Sequence, residues 1–566
     1  MKKILCLLLA AIMLFGLTAC AQKSTALPGT GTPGVTESFE WSSFDKLIRD
    51  AQKEPDAQKR ADMFREAEQR ILKTGAAIPL IHQTVSHLAK PDVTGVYVGA
   101  LNTLYFYNIA QKGKNGSEPL QIAVCGEPAT LDPAIKLASD INCLTANYSV
   151  GLLREDENGK PNCALAESYE VSDDGLTYTF HLKPDLKWSD GSALTADDFV
   201  FSWKRAAATE TAGEANFMFD MIRGYPNDLD VSAPDARTLR VVLSYPCAYF
   251  LSVCVHDVYS PVKREQVEGA KGYKDASGKI VNPGAWASEG NIITCGAYTV
   301  EKWTHNESIV MKKNPYYYDA ENVPTQTLNL MLTADASAAY NAYQSGSVVL
   351  TNMIPGDVVS SLSESPEYFR KTTPGTSYLS FNVKSPLFAG MTAEEAATFR
   401  RAIGFAIDRT FLSRVAVSSL PDPAISVVPP GISDGTGGKF GDRTEYTEEN
   451  GYYSVHADLD KARQMLTSIG FEFDANGKLK DPITVNYLYN GGGANNAVAA
   501  CLQADLAQIG IRLNLQQVEW NVFLGERKRT TSESFRDGWN SDFNDPYGML
   551  STFLSDAAGN FYGLGK

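Results

Sequence analysis

The chain has 566 residues, 44% of them hydrophobic, and a formal charge of −15 with acids and bases interspersed. That surface argues against nucleic acid, since phosphates call for a basic face, and the length exceeds what one core organises, so at least two domains are expected. Beyond the first twenty residues no run reaches the ~18 apolar residues of a membrane span.

Lys2 and Lys3 precede an apolar run from Ile4 to Leu17 and the small-residue sequence LTAC ending at Cys20. This is the pattern of an export signal, residues 1–20, and it resembles a bacterial lipoprotein box in which Cys20 carries the lipid. Residues 21–36, with LPGTGTPG, lack any apolar stripe and read as a flexible tether. Ser42 and Ser43 are expected to cap a short helix carrying Phe44, Leu47, Ile48 and Ala51, which Pro55 stops. A second helix is expected from Asp56 to Lys73, with Ala57, Ala61, Phe64, Ala67 and Ile71 on one stripe and Gly75 as terminator. An apolar strand AIPLIHQTV follows, then the aromatic stretch LYFYNIA, then the polar linker KGKNGSEP at 112–119.

Beyond the linker, short strands (LQIAV, TYTFHL, LRVVL, TVNYLY) alternate with helical stretches (AAYNAYQSG, ATFRRAIGFAIDRTFL), which predicts an α/β architecture with more than one sheet. Gly431–Asp442 is turn-rich and reads as an exposed boundary. Of nine cysteines, those outside the signal and anchor are Cys125, Cys143, Cys163, Cys247, Cys254, Cys295 and Cys501. Their odd number and the absence of C-x-x-C indicate neither a disulfide framework nor a cysteine zinc site; they read as buried thiols.

Several stretches, in order, resemble the extracytoplasmic solute-binding proteins of ABC-type oligopeptide and dipeptide importers, solute-binding protein family 5. They are EPATLDP (127–133), Ala164–Arg205 as a whole, GAYTVEKW (296–303), KNPYYYD (313–319), FRRAIGFAIDR (399–409) and GWNSDFNDP (538–546). One feature departs from the pattern. Phe44–Val96 is similar to the family's carboxyl-terminal segment yet precedes the amino-terminal motif. That order is expected of a circular permutation joined through KGKNGSEP.

The resemblance implies an α/β, two-lobed periplasmic-binding-protein-like fold (type II, large three-domain variant) with a hinge of two chain crossings. Lobe 1 would span 80–374, with a smaller subdomain at about 150–273, and lobe 2 would combine 37–79 with 375–566, hinged near Pro79 and Pro374. It implies a short peptide as ligand, held by backbone pairing and by charges at its two ends. The ammonium end falls to Asp542 in the motif Trp539, Asn540, Ser541, Asp542; Arg536 and Arg527 are candidates for the carboxylate; Trp539 and Tyr378 would face the cleft. It further implies a monomer that delivers its ligand to a membrane permease, anchored outside the cell membrane through Cys20, with no cofactor and no metal.

An oligosaccharide or a nickel complex on the same fold are the rival ligands. The six histidines form no compact cluster, and His82 and His87 would face opposite sides of a strand. A secreted hydrolase is a distant alternative, because no G-x-S-x-G, H-E-x-x-H, Walker loop or dinucleotide fingerprint occurs.

Overall fold

The computed structural model describes residues 40–135, 142–213, 215–287, 292–415, 420–528 and 532–566. The expected signal at 1–20, Cys20 and the tether at 21–36 lie outside these residues.

The first helix spans Ser42–Lys53 and buries Phe44, Ile48 and Ala51. Trp41, rather than a serine, occupies its cap position and supplies no side-chain bond there; its indole Nε1 donates instead to the Phe553 carbonyl at 2.9 Å. The second helix, Ala57–Thr74, is capped by Asp56, whose Oδ1 accepts from the Lys59 amide at 2.9 Å. The expected stripe is buried at Ala61, Phe64, Ala67 and Ile71, but so are Arg60, Arg65 and Glu68, because this helix packs against neighbours on more than one side. Gly75 ends it with φ +63°, the left-handed turn that only glycine adopts without strain.

One eleven-stranded sheet runs through the molecule. Its members in chain order are β1 (Ala77–Ala89), β2 (Leu120–Cys125), β3 (Tyr298–Thr304), β4 (Ser308–Lys313), β5 (Thr327–Leu332), β6 (Leu350–Thr351), β7 (Tyr368–Phe381), β8 (Ile483–Asn490), β9 (Ile511–Val518) and β10 (Ser534–Asn540). They lie side by side as β3-β4-β5-β2-β6-β1-β7-β10-β8-β9, with Asp422–Pro423 pairing off β1. A separate four-stranded antiparallel sheet, within Ala166–Val242, packs in the first half.

Two large apolar cores divide this sheet. The first draws on residues from Ala89 to Leu350; the second combines Trp41–Leu80 with Tyr378–Leu564. β1, the antiparallel neighbour of β7, passes between them, with Ala77, Ile78 and Leu80 in the second core and Ala89 in the first. The register of the pair slips between Pro79 and Ile81 and again between His82 and Thr84, opposite the segment Thr372–Thr376. Such irregularities bend and twist a strand pair locally. Gly431–Asp442 is not a boundary: Ile432, Asp434 and Phe440 are buried, and Phe440 belongs to the second core. None of the seven described cysteines is in a disulfide, and only Cys163 among them is exposed.

A β-carbon on Gly75 would lie 2.8 Å from Arg400 Cβ, in a backbone conformation that strains any L residue. Gly75→Ala is therefore expected to destabilise the fold by about 1–2 kcal/mol, read as a lowered midpoint in urea with an unchanged slope.

Candidate functional site

β10 sits between β7 and β8 near the crossing strands, and its alternation sets the chemistry of the site. Arg536 pairs in register with Leu379 and Asp537 with Tyr378, so these neighbours point to opposite faces of the sheet. Arg536 lines a cavity of about 250 Å³ together with Gln83 from β1, Ser377 from β7, Tyr487 from β8, and Asn495 from the helix Gly493–Ala507. Its Nη1 donates to Asn490 Oδ1 at 3.2 Å, and it forms no ion pair among the described residues. Burial lowers the guanidinium pKa, with the Tyr487 and Asp537 fields opposing. A ligand carboxylate would supply the missing counter-charge.

Arg527 is already matched. Its Nη1 lies 2.5 Å from Asp537 Oδ1, and the Tyr562 hydroxyl donates to Asp537 Oδ2 at 2.8 Å. The guanidinium also stacks over Phe561 at 4.2 Å. A pair so enclosed leaves Arg527 little capacity for a ligand. Asp537 was not foreseen as its partner, although strand alternation in FRDGW places it on the face away from Arg536.

The aromatic candidates are placed differently from one another. Tyr378 is fully buried, its hydroxyl 3.5 Å from the Val427 carbonyl and its ring tilted against Phe553, while the residue forms part of the cavity wall beside Ser377. Trp539 is 39% exposed and its Nε1 donates to the Gly548 carbonyl at 2.8 Å. Asn540 lies over Gly375, where an added β-carbon would come within 1.8 Å of its Oδ1.

The turn after β10 joins the two cores. The Ser541 amide donates to Pro374 O at 2.8 Å, within the crossing segment of β7, and the Ser541 hydroxyl donates to Phe543 O at 2.7 Å. The Phe543 ring stacks 4.5 Å from Tyr249 of the first core, tilted by only 6°. Asp545 receives Arg60 in a bidentate pair at 2.7 and 2.8 Å, with Arg60 1% exposed. Between these anchors stands Asp542. It is half-buried, makes no hydrogen bond or ion pair among the described residues, and has its carboxyl pushed up to about 6 by burial alone. A desolvated carboxylate without a cation is the complement of an ammonium group. Among the described residues no group of three or more His, Cys, Asp or Glu is placed to hold a metal ion.

The raised pKa fixes a sign. A carboxyl whose folded pKa exceeds its unfolded value stabilises the fold below the unfolded value, and that contribution is lost as pH rises through the folded one. Asp542→Asn should therefore raise the melting temperature of the ligand-free protein most at pH 7.5, where the folded-state acid is charged, and less at pH 4.5, where it is protonated in the folded state; thermal melts at the two pH values read this directly.

The profile described as bacterial extracellular solute-binding proteins, family 5, matches residues 160–561. The chain is 31% identical over 429 residues to the periplasmic oligopeptide-binding protein OppA of Salmonella typhimurium, covering 72% of each chain. It is 27% identical over 449 residues to the dipeptide-binding protein DppE of Bacillus subtilis, covering 78% of this chain and 77% of that one. In structure it is similar to the unliganded open form of the murein tripeptide-binding protein MppA, with a TM-score of 0.61 at 23% identity, over 80% of this chain and 84% of that one. Listeria monocytogenes OppA bound to peptide gives a TM-score of 0.55 at 26% identity, over 79% and 86%.

Proposed function

Because the chain belongs to the family 5 bacterial extracellular solute-binding proteins, which bind solutes and are not enzymes, we propose that it captures short peptides for an ABC-type importer. The observation that carries this reading is the unpartnered Asp542 carboxylate, held where the two cores meet. Its charge, desolvated and with no cation of the protein's own nearby, is completed by the free amino terminus of a peptide. Arg536 supplies the opposite charge for the carboxyl end, Asn540 and Ser541 shape the turn between them, and Trp539 and Tyr378 form walls. Arg527 acts through Asp537 by fixing β10 rather than by touching the ligand. Similarity to the oligopeptide-binding protein OppA and the dipeptide-binding protein DppE supports a peptide ligand over a sugar or a nickel complex.

Two lobes, 80–374 and 37–79 with 375–566, would close over the ligand by bending at the slipped registers near Pro79 and Pro374. Occupied, the monomer passes its cargo to the permease, and the LTAC sequence supports tethering to the outer face of the membrane through Cys20. The order of segments is read as a circular permutation. Trp41, near the start of the described residues, lies against Gly565, and 112–119 is a polar turn segment between Gln111 and Leu120, which supports that reading.

Isothermal titration of a free-amine tripeptide tests the site. Asp542→Ala is expected to cost about 2–5 kcal/mol, at least about 30-fold in Kd, and N-acetylation of the peptide to cost the wild type as much. Wild-type affinity should hold above pH 6 and weaken about tenfold per unit below it, as the carboxylate takes up a proton. Unchanged titrations for Asp542→Ala refute the assignment. A chain reopened within 112–119, with Lys566 joined to Glu40 by a short linker, should melt within a few degrees of the parent if the permutation reading is right.

A further inference from the structure

The turn that carries Asp542 follows β10 in the second half of the chain, yet its middle leans on the first half. One end is tied to the crossing strand, the Ser541 amide donating to Pro374 O at 2.8 Å, and the other is held by Arg60 through Asp545. Between these anchors the Phe543 carbonyl accepts from the Ser541 hydroxyl at 2.7 Å and from the Asp545 amide at 2.8 Å. Phe543 is therefore the pivot of the turn. Where its ring is seated sets the direction of the residue before it.

That seat is supplied by Tyr249, a 4% exposed member of the first core. The two rings lie 4.5 Å apart and 6° from parallel, and Tyr547 stacks 5.6 Å from Tyr249 as well. Aromatic stacks are directional, so a ring resting on Tyr249 has its rotation restricted. Gln52, from the helix Ser42–Lys53 of the second core, donates to the hydroxyls of Tyr245 at 2.9 Å and Tyr249 at 3.3 Å, which ties the seat across the junction. Asn544 makes a further span: its Oδ1 accepts from the Ser433 amide at 2.9 Å, and its Nδ2 reaches the Gly159 carbonyl at 3.5 Å. Because Tyr249 and the turn belong to different halves, the stack lasts only while the halves keep this arrangement.

We infer that Tyr249 is a positioning residue for the amino end of the ligand: through the Phe543 ring it keeps the Asp542 carboxylate desolvated and fixed in direction, and it withdraws that support when the halves part. The inference rests on the reading of Asp542 as the ammonium-binding acid. By linkage, a ligand held on Asp542 favours in return the arrangement in which the stack is made.

The titratable groups around the turn do not obscure a test by pH. Burial alone raises the Asp542 carboxyl, Asp545 and Arg60 are paired with each other, and burial raises the hydroxyls of Tyr249 and Tyr547, which stay neutral across the range used. Tyr249→Ala and Tyr249→Phe are compared by hydrogen exchange of the ligand-free protein and by calorimetric titration of a free-amine tripeptide between pH 4.5 and 7.5. In Tyr249→Ala the amides of 541–545 are expected to exchange about tenfold faster, and tripeptide affinity at pH 7.5 to fall about tenfold. The pH below which affinity declines should also move from about 6 toward the ordinary carboxylate range as Asp542 is rehydrated. A loss of packing alone leaves that pH in place. Tyr249→Phe, which keeps the stack, is expected to restore exchange, affinity and pH profile to within about threefold of the wild type. Wild-type exchange at 541–545 in Tyr249→Ala, or an affinity loss whose pH profile still breaks near 6, overturns the inference. Should Tyr249→Ala not fold, Phe543→Ala is read in its place with the same expectations. A wild type that binds no tripeptide, or binds it equally well after Asp542→Ala, counts against the peptide reading alone, and the exchange rates then decide whether Tyr249 holds the turn.

Discussion

The antiparallel pairing of β1 with β7 is the constraint on which everything else hangs. These strands are 13 and 14 residues long; β1 carries Ala77, Ile78 and Leu80 into the second core and Ala89 into the first, while β7 carries Tyr378, Leu379 and Phe381 into the second and packs Tyr368 against a small third cluster around Leu88 and Tyr343. A continuous ladder would lock the cores rigidly. The two register slips near Ile81 and His82 relieve the ladder at the point where the cores part. The site acid and the Arg536 cavity both lie within reach of this junction, which is where a small bend produces the largest change in enclosure.

Charge at the junction follows a consistent logic. Three buried guanidinium groups that hold the architecture have acids of their own, Arg60 with Asp545, Arg205 with Asp132 and Arg527 with Asp537, while Arg400 and Arg409 donate to backbone carbonyls. Breaking such a pair leaves an uncompensated charge in a low dielectric, so these pairs act as fixed struts. Asp542 and Arg536 lack such partners among the described residues. Their desolvation is tolerable in the empty protein because each keeps a neutral form, a polar contact or partial exposure, and it becomes favourable when a guest brings the opposite charge.

Local sequence periods carried much of the fold into view. The helix pair was legible from spacings of three and four with Asp56 and Gly75 at its ends, and β1 from its apolar run, because caps and stripes are set by residues within one or two turns of each other. The GWNSD motif singled out Asp542 as a candidate. What stayed hidden were partners far apart in the chain. Arg60, Arg65 and Glu68 would sit on the solvated face of an isolated helix; they are buried because Asp545, Val428 and Tyr452 arrive from more than 350 residues away. The turn-rich Gly431–Asp442 looked like a boundary, yet tertiary packing folds it over a cavity that residues from both halves of the chain line.

By itself, then, the sequence determined the element types, the absence of a cysteine framework and the solute-binding family. Only the tertiary structure decided that one sheet threads both cores and that Arg527 is neutralised while Arg536 is not. The physical reason is range. Periodicity and capping act over a few residues, whereas desolvation and ion pairing depend on which distant segments are brought into contact, and a linear pattern does not encode that distance.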